Sequence, residues 1–457
     1  MSYIADLTAK NILIVGAGTT GKSIASYLDR IGANFAIVDE KISVLDGREV
    51  LDRISDDENY DLAIVSPGWR KDNSIIANLH SKGIEVVSEI DFAWLLKEEI
   101  HPKQKWLALT GTNGKTTTVQ MLESILIAAG VKAIACGNVG LTVVDAVTSE
   151  NKFDLLAIEL SSFQIDWSAL PQYEAVALLN IAPDHIDWHG SFAEYADAKL
   201  KLLSQTQTAV LNLNDPEVIL RSASWGGRKV FYGFDTPQPG EIGLVEELII
   251  DRAFVNSTDS AEVIAELADV KPAVPHNVSN AMAAAGLALA IGVAHPKVKT
   301  GISNFKLDKH RLETILEKDG ITWVNDSKAT NPPAASAALS SHLSNIWIAG
   351  GLAKGAKMDD LIARSSSKIK AAILIGADAE IIAKALVEFA PDAVIHRIKS
   401  ATGAADLMDQ VVSCALEIAA PGDTVLLAPA CASMDQFSSY AQRGDLFVDS
   451  VRRLVGE

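Results

Sequence analysis

Cysteine is scarce. The 457 residues hold three, Cys136, Cys414 and Cys431, too few and too widely spaced for a disulfide framework or a zinc ribbon. A reducing compartment is the default reading of such a chain. Positive charge is also in short supply. Forty Lys and Arg stand against 58 Asp and Glu, a formal net charge of −18. So acidic a chain excludes sequence-blind nucleic-acid binding, which needs a cationic surface to displace counterions. No apolar run is long enough to span a bilayer; the longest weakly apolar stretch, 281–294, is rich in Ala and Gly and reads as a buried helix. The N-terminal stretch carries Asp6 and no apolar core, so no secretory leader is expected and a cytoplasmic location is. Internal repeats and low-complexity segments are missing too. What remains is the ordinary globular mixture, 48% hydrophobic and 21% charged, which excludes disorder for the bulk of the chain.

At about 150 residues per domain, the length suggests roughly three domains. Strands are expected at 11–15, 35–39, 61–66 and 84–87, with a glycine turn at 16–21 and a helix at 22–31. The charged stretch 97–105, with Pro102, reads as a linker. A strand then starts at Trp106 and leads through a glycine turn into a helix ending near Ala129; further strands are expected at 155–160, 176–180 and 209–213. The stretch 240–271 is acidic, gives weak signals and is expected to be peripheral. From about Lys306 a further unit is expected, with strands at 322–325, 345–349, 371–375 and 424–427 and a helix at 406–419 closed by Pro421-Gly422. The expectation is three α/β domains: a Rossmann-like 1–100, a central P-loop NTPase-like parallel sheet over 101–305, and a Rossmann-like 306–457.

The strongest chemical signal is Leu109-Thr-Gly-Thr-Asn-Gly-Lys-Thr-Thr117. A buried strand enters a glycine turn and a helix leaves it, so backbone N–H groups and the helix dipole converge on an anion. Lys115 is expected to reach the outer phosphates of a nucleotide, and Thr116 to offer its hydroxyl to Mg²⁺. The loop departs from a strict Walker A, because Leu109 stands where that pattern has glycine. Glu159 emerges where the run 155–158 stops, the place for an acidic metal ligand; a loop carboxylate in solvent is the plain alternative. His185 and His189 follow the next strand, where a histidine can ligate metal or orient substrate but is more often structural.

Gly16-Ala-Gly18-Thr-Thr-Gly21 also joins a strand to a helix, and Asp39 closes the next strand about 20 residues on, the context of a dinucleotide fingerprint. Alone it argues for NAD and an oxidoreductase. The same geometry holds other diphosphates, such as a UDP-sugar, and two phosphate-binding units in one chain favour that. A P-loop ATPase acting as a regulatory switch is a third reading.

Several segments occur here in the order found in the Mur ligases, the ATP-dependent amide ligases of peptidoglycan precursor synthesis. They are Thr110–Thr117, Glu159-Leu-Ser-Ser162, Asp184-His185, His276-Asn277 with Asn280, Asp326-Ser-Lys-Ala-Thr-Asn331 and Gly350-Gly-Leu-Ala-Lys354. Within that family, Ala428-Pro-Ala-Cys-Ala-Ser433, Asp435-Gln-Phe437 and Gln442-Arg-Gly444 resemble the D-glutamate-adding members, rather than the L-alanine-adding ones or the folylpolyglutamate synthases that share the ATP loop.

The resemblance implies a reaction: ATP phosphorylates the carboxylate of UDP-N-acetylmuramoyl-L-alanine, and D-glutamate attacks the acyl phosphate, releasing phosphate besides the ADP. It implies catalytic roles for Lys115, Glu159, His185 and Lys199, with Thr116 and Glu159 at one Mg²⁺ and His185 and a carbamylated Lys199 at a second. Spacing alone makes Lys199 a solvated helix lysine. The ATP contacts implied are Gly111, Thr112, Asn113, Gly114, Lys115, Thr116 and Thr117, with Asn277, Asn280, Arg311, Asp326 and Lys328. UDP-substrate contacts are Gly18, Thr19, Thr20, Asp39, Ser66, Asn138, Ser161 and His185; D-glutamate contacts are Thr330, Lys354, Ser433, Met434 and Tyr440. Four positions depart from the family pattern: Ala353 replaces a common acidic residue, Tyr440 a frequent Phe, and Thr19 and Thr20 end the first loop. Asn331 is expected to cap a helix starting at Pro332, and Cys431 to be packed rather than nucleophilic. Partners are expected to be small molecules only, with no nucleic acid, no membrane and a monomeric chain.

Overall fold

The apolar runs become the inner strands of three sheets. A computed structural model describes residues 2–55, 58–398 and 401–456. It divides into two units, Met1–Phe305 and Lys306–Glu457, the first of which holds two of the sheets.

The first sheet has β1 (Asn11–Val15), β2 (Asn34–Val38), β3 (Leu62–Val65) and β4 (Glu85–Ser88), in the order β2-β1-β3-β4 and parallel throughout. Helix α1 (Thr19–Ile31) leaves the first glycine loop. Helix α2 (Glu89–Ile100) starts straight from β4, where the Ser88 side chain accepts from the Asp91 N–H. This corrects the expected linker at 97–105. Phe92, Ala93 and Leu96 are buried on α2, and Lys97 buries its stem with its ammonium 4.5 Å from the Trp94 ring centre and 2.7 Å from Glu98. Three consecutive charges had hidden an amphipathic helix.

The second sheet has nine strands: β5 (Lys105–Thr110), β6 (Ala133–Gly137), β7 (Leu155–Glu159), β8 (Ala175–Leu178), β9 (Thr208–Asn212), β10 (Arg228–Tyr232), β11 (Glu241–Val245), β12 (Leu248–Asp251) and β13 (Glu262–Glu266). Their order is β13-β12-β11-β10-β9-β8-β5-β7-β6. From β6 to β11 all neighbours are parallel, while β12 and β13 are antiparallel additions, so the expected parallel sheet is mixed at one edge. The weak stretch 240–271 supplies that edge. Central β7 and β8 are buried at every residue, as strands covered on both faces must be. The helices that position the site are α3 (Lys115–Ala128), α4 (Ser162–Trp167), α5 (Ile186–His189), α6 (Phe192–Leu200) and α7 (Pro275–Ala290). The Ala-rich α7 lies so close to β9 that a Cβ on Gly286 would stand 2.8 Å from Val210.

The second unit holds β14 (Glu313–Lys318), β15 (Ile321–Asn325), β16 (Asn345–Gly350), β17 (Ile369–Ile375), β18 (Val394–Arg397) and β19 (Thr424–Leu427), in the order β14-β15-β19-β16-β17-β18. Only the edge pair β14–β15 is antiparallel among the described strands. Helix α8 (Tyr440–Leu454) packs on this sheet through Phe447 and Val451. Among the described residues no helix is long and apolar enough to cross a membrane.

Where α2 meets α4, Glu89 is buried and accepts from Gln164 Nε2 at 2.8 Å. Burial pushes its pKa from 4.5 up to about 7, with Gln164 opposing and Asp91 adding to the rise. Between those values the folded chain keeps a proton that the unfolded chain has lost. This group's contribution is therefore fully present below the unfolded value and is lost as pH rises through 7. Glu89→Gln is expected to raise stability above neutral pH by up to about 3 kcal/mol and to flatten the fall in Tm across that window. An unchanged Tm–pH profile would contradict this.

Candidate active site

In the first sheet the glycine loop turns from β1 into α1. Gly16 has φ +104°, and a Cβ there would lie 2.8 Å from Ser66 and from the Trp69 indole nitrogen. Asp39, at the end of β2, accepts from the N–H groups of Ala17 (2.8 Å), Lys41 (2.8 Å) and Ile42 (3.1 Å). Burial pushes its pKa up, but those donors together pull it further down, and the net is below the ordinary value. The carboxylate thus pins the loop. A cleft of about 550 Å³ opens there, lined by Gly18, Thr19, Thr20, Asp39 and Ser66 with Trp69 and Arg70. The five expected first-sheet residues therefore meet on one cavity, where the Ser66 hydroxyl is buried without a hydrogen-bond partner.

In the second sheet, Gly111–Gly114 leads from β5 into α3. Asn180, after β8, brackets this loop: its Oδ1 accepts from Asn113 N at 2.8 Å and its Nδ2 donates to Asn113 O at 3.0 Å. Gly114 has φ +83°, and a Cβ there would sit 2.5 Å from Asn280 Oδ1, so α7 backs the loop directly. Asn277, also on α7, is buried and donates to Pro272 O. Thr112 Oγ1 lies 2.9 Å from the Tyr195 hydroxyl. Thr116 and buried Thr117 open α3.

Two lysine side chains converge on this loop. Lys115 Nζ donates to Gly111 O (2.8 Å) and Thr112 O (3.0 Å); Lys199 Nζ, from α6, donates to Gly111 O (3.0 Å) and Thr110 Oγ1 (3.2 Å). Lys199 is 2% exposed, which overturns the spacing-based picture of a solvated helix lysine. Burial, and next the Lys115 charge, hold its pKa well below the ordinary lysine value, against Asp184 and Glu159.

Glu159 ends β7 beside β5 and is 1% exposed, so it is not a solvated loop carboxylate. Its Oε1 accepts from Asn138 Nδ2 at 2.8 Å, while its Oε2 is buried with no hydrogen-bond partner. Asn138, expected to touch substrate, thus orients Glu159. Ser161 caps α4 in a reciprocal pair with Gln164. His185 precedes α5 with a left-handed backbone, φ +51°, its Nε2 3.7 Å from Asp184 and its ring on Phe163. His189 lies 2.9 Å from Ser162 Oγ, and burial drops its pKa to about 4, which favours the neutral ring.

In the second unit the remaining candidates cluster on three neighbouring strands. Asp326, Lys328 and Thr330 follow β15; Ser433 and Met434 follow β19; Lys354 follows β16. Tyr440 opens α8, its ring centre 3.8 Å from Lys328 Nζ. Ser433 is buried and Met434 exposed. Lys354 has φ +50°, in a loop paired to the β19 loop through Leu352 and Ala432. Arg311 lies before β14; burial pushes the Asp326 pKa up to about 7, against the Leu312 N–H and Arg311. The Ala353 N–H donates to Asp378 at 2.7 Å. Asn331 caps the helix Pro332–Ser340, accepting from Ala334 N. Burial raises the Cys431 thiol to about 12, as fits a packed residue.

Sequence reasoning gave no role to Arg443. It is fully buried on α8 and donates to Ser327 Oγ (3.0 Å), Ser327 O (2.8 Å) and Cys431 O (3.2 Å), clamping the β15 and β19 loops together. The available signal was its place on the apolar stripe with Phe447 and Val451, four and eight residues on. Asn180 was missed as well, because only the fold shows that a strand end faces the phosphate loop.

Comparison with known proteins fits this geometry. Residues 109–288 match the Mur ligase middle domain, and residues 310–431 the Mur ligase glutamate ligase domain. The UDP-N-acetylmuramoylalanine–D-glutamate ligase of Streptomyces coelicolor is 42% identical over 98% of this chain and 99% of its own. That of Thermobifida fusca is 42% identical over 99% and 100%. Among solved structures, the MurF ligase of Thermotoga maritima in complex with ADP superposes with a TM-score of 0.60 at 13% identity, covering 100% of this chain and 98% of that one. The UDP-N-acetylmuramate–alanine ligase of the same organism gives 0.59 at 17% identity, covering 98% and 100%; at such identities these two speak for the fold alone. With full-length identity at this level and both family domains in place, the chain belongs to the Mur ligase family.

Proposed function

We propose that this chain is an ATP-dependent ligase of peptidoglycan precursor synthesis. It joins D-glutamate to UDP-N-acetylmuramoyl-L-alanine through an acyl phosphate and releases ADP and phosphate. The observation that carries this reading is the Lys115 loop with the partnerless, buried Glu159 oxygen one strand away. The full-length likeness to D-glutamate ligases supports the choice of substrates.

A carboxylate is a poor electrophile, since its charge repels nucleophiles and oxide leaves badly; phosphorylation removes both faults. Carboxylate and γ-phosphate are both anions, so positive charge must bridge them. Lys115 supplies it by exchanging the Gly111 and Thr112 carbonyls for phosphate oxygens. The loop N–H groups and the α3 dipole hold the inner phosphates. Thr116 and Glu159 fit a hard divalent cation such as Mg²⁺, which when bound draws charge from phosphate oxygens. Among the described residues there is no group of three or more His, Cys, Asp or Glu that could hold a metal ion.

Lys199 and His185 are proposed for a second cation. The lowered Lys199 pKa favours the neutral amine, the form whose nitrogen adds to CO₂ with release of one proton, and the resulting carbamate would offer an oxygen ligand. We assign the UDP end of the substrate to 1–100, ATP to 101–305 and D-glutamate to 306–457, in a monomeric cytoplasmic enzyme. For the amino acid's two carboxylates Lys354, Thr330 and Ser433 offer a cation and hydroxyl donors.

A ligation assay with a panel of amino acids and UDP-sugar acceptors tests the reading. Phosphate should be released only when ATP, UDP-N-acetylmuramoyl-L-alanine and D-glutamate are all present. Equal turnover with L-glutamate or meso-diaminopimelate would reject it.

A further inference from the structure

The loop after β3 borders the first-sheet cleft and also grips the second sheet. Ser66, Gly68 and Arg70 line the cavity. From the same loop, Arg70 Nη1 donates to the carbonyls of Trp188 (3.0 Å) and, longer, Asp187 (3.4 Å), while its Nε and Nη2 hold both Asp72 oxygens at 2.9 Å. Trp188 answers by donating its indole N–H to Gly68 O at 3.2 Å. Nearby, Trp167 on α4 donates to Trp69 O at 2.8 Å, and Lys71 donates to Asp166 O at 2.6 Å. Asp187 and Trp188 lie in the single turn α5, which His185 immediately precedes. Such a short helix has little stability of its own and takes its place from what it touches. Phe163 packs against the His185 and Trp188 rings, while Arg70 and Gly68 hydrogen-bond to Asp187 and Trp188.

We propose that Arg70 is a positioning residue: it registers the loop bordering the nucleotide cleft against the turn that carries His185, so that filling the cleft sets where His185 stands. The inference rests on the reaction proposed above. It assigns Arg70 to the link between two ends of one substrate, the nucleotide end at the cleft and the reacting carboxylate at the phosphate loop. The bidentate Asp72 pair fixes the guanidinium plane, leaving Nη1 aimed at the α5 carbonyls. A misplacement of about 1 Å at a reacting group is worth roughly a hundredfold in rate, so a partial loss of register is expected to cost less than that.

The test uses the full chain as wild type, Arg70→Met, Trp188→Phe and the double variant. Arg70→Met keeps the apolar stem and removes the donors. Measured are kcat, KM for UDP-N-acetylmuramoyl-L-alanine and ATP, competitive inhibition by free UDP, and thermal unfolding. Each single variant is expected to lower kcat about tenfold with the ATP KM within about twofold, and Trp188→Phe, which leaves the cleft lining intact, to keep the UDP inhibition constant within about twofold as well. The double variant is expected to be no worse than about the poorer single one, since both changes cut one link. Unchanged kcat in Arg70→Met, a UDP constant in Trp188→Phe that rises in step with its loss of kcat, or independent multiplication of the two effects would each overturn the proposal. A fall in Tm with all constants shifted alike would show a merely structural role and overturn it too. Wild-type chain that fails to ligate D-glutamate would instead defeat the functional reading on which the proposal stands.

Discussion

Lys199→Ala is expected to lower kcat about a thousandfold, with no recovery in added bicarbonate. The side chain is fully buried, donates to Thr110 Oγ1 and Gly111 O, and lies close enough to Lys115 to feel its charge. Left as an ammonium, it would repel both Lys115 and any cation near the phosphates. Left as a free amine, it would offer a cation no oxygen ligand. The carbamate proposed above would supply one, and with it a negative charge that draws a second cation to the site. Lys199→Arg separates the explanations, because a guanidinium stays charged and cannot be carbamylated. Arg is expected to fail as badly as Ala. Wild-type chain in ¹³C-bicarbonate should show a carbamate carbonyl resonance that both variants lack. Substantial activity in Lys199→Arg would mean that positive charge is what the site needs, and the carbamate would go.

What could be read in the sequence was local. Both glycine loops are contiguous runs rich in glycine and hydroxyl residues between a strand and a helix, and β7 shows itself as four apolar residues ending at Glu159. Strands β10 and β14 escaped notice because Arg228, Lys229, Glu313, Glu317 and Lys318 break the apolar run, as edge or half-covered strands allow. Residues 97–100 read as linker for the related reason that charge masks a buried stem. The antiparallel edge β12–β13 had only its acidity to announce it. At the site, long-range pairings were out of reach. Glu89 meets Gln164 across 75 residues and Arg70 meets Trp188 across 118, and nothing in one sequence links either pair. Lys199 shows the limit most clearly: its spacing is that of any surface lysine, and only the packing of α6 against the phosphate loop removes it from water.

Glu159→Gln is expected to cut kcat/KM about a thousandfold without lowering thermal stability. The wild-type carboxylate has two unlike oxygens. One accepts from Asn138 Nδ2, and a glutamine carbonyl keeps that bond; the other is buried and faces no donor. A buried anionic oxygen without a partner destabilises the fold, and a chain keeps such a group where a ligand will meet it. Replacing it with an amide nitrogen removes the charge that a divalent cation would seek and relieves the burial of that charge. Activity and stability therefore move in different directions, as they do where a site is held ready at the expense of the fold. Glu159→Ala is the contrasting variant: it leaves the Asn138 amide unpaired, so activity and Tm should fall together. Raising Mg²⁺ should not rescue Glu159→Gln, because the lost group sets where the cation stands as well as how tightly it binds. A Glu159→Gln chain within tenfold of wild type would show that the phosphate loop works without this carboxylate.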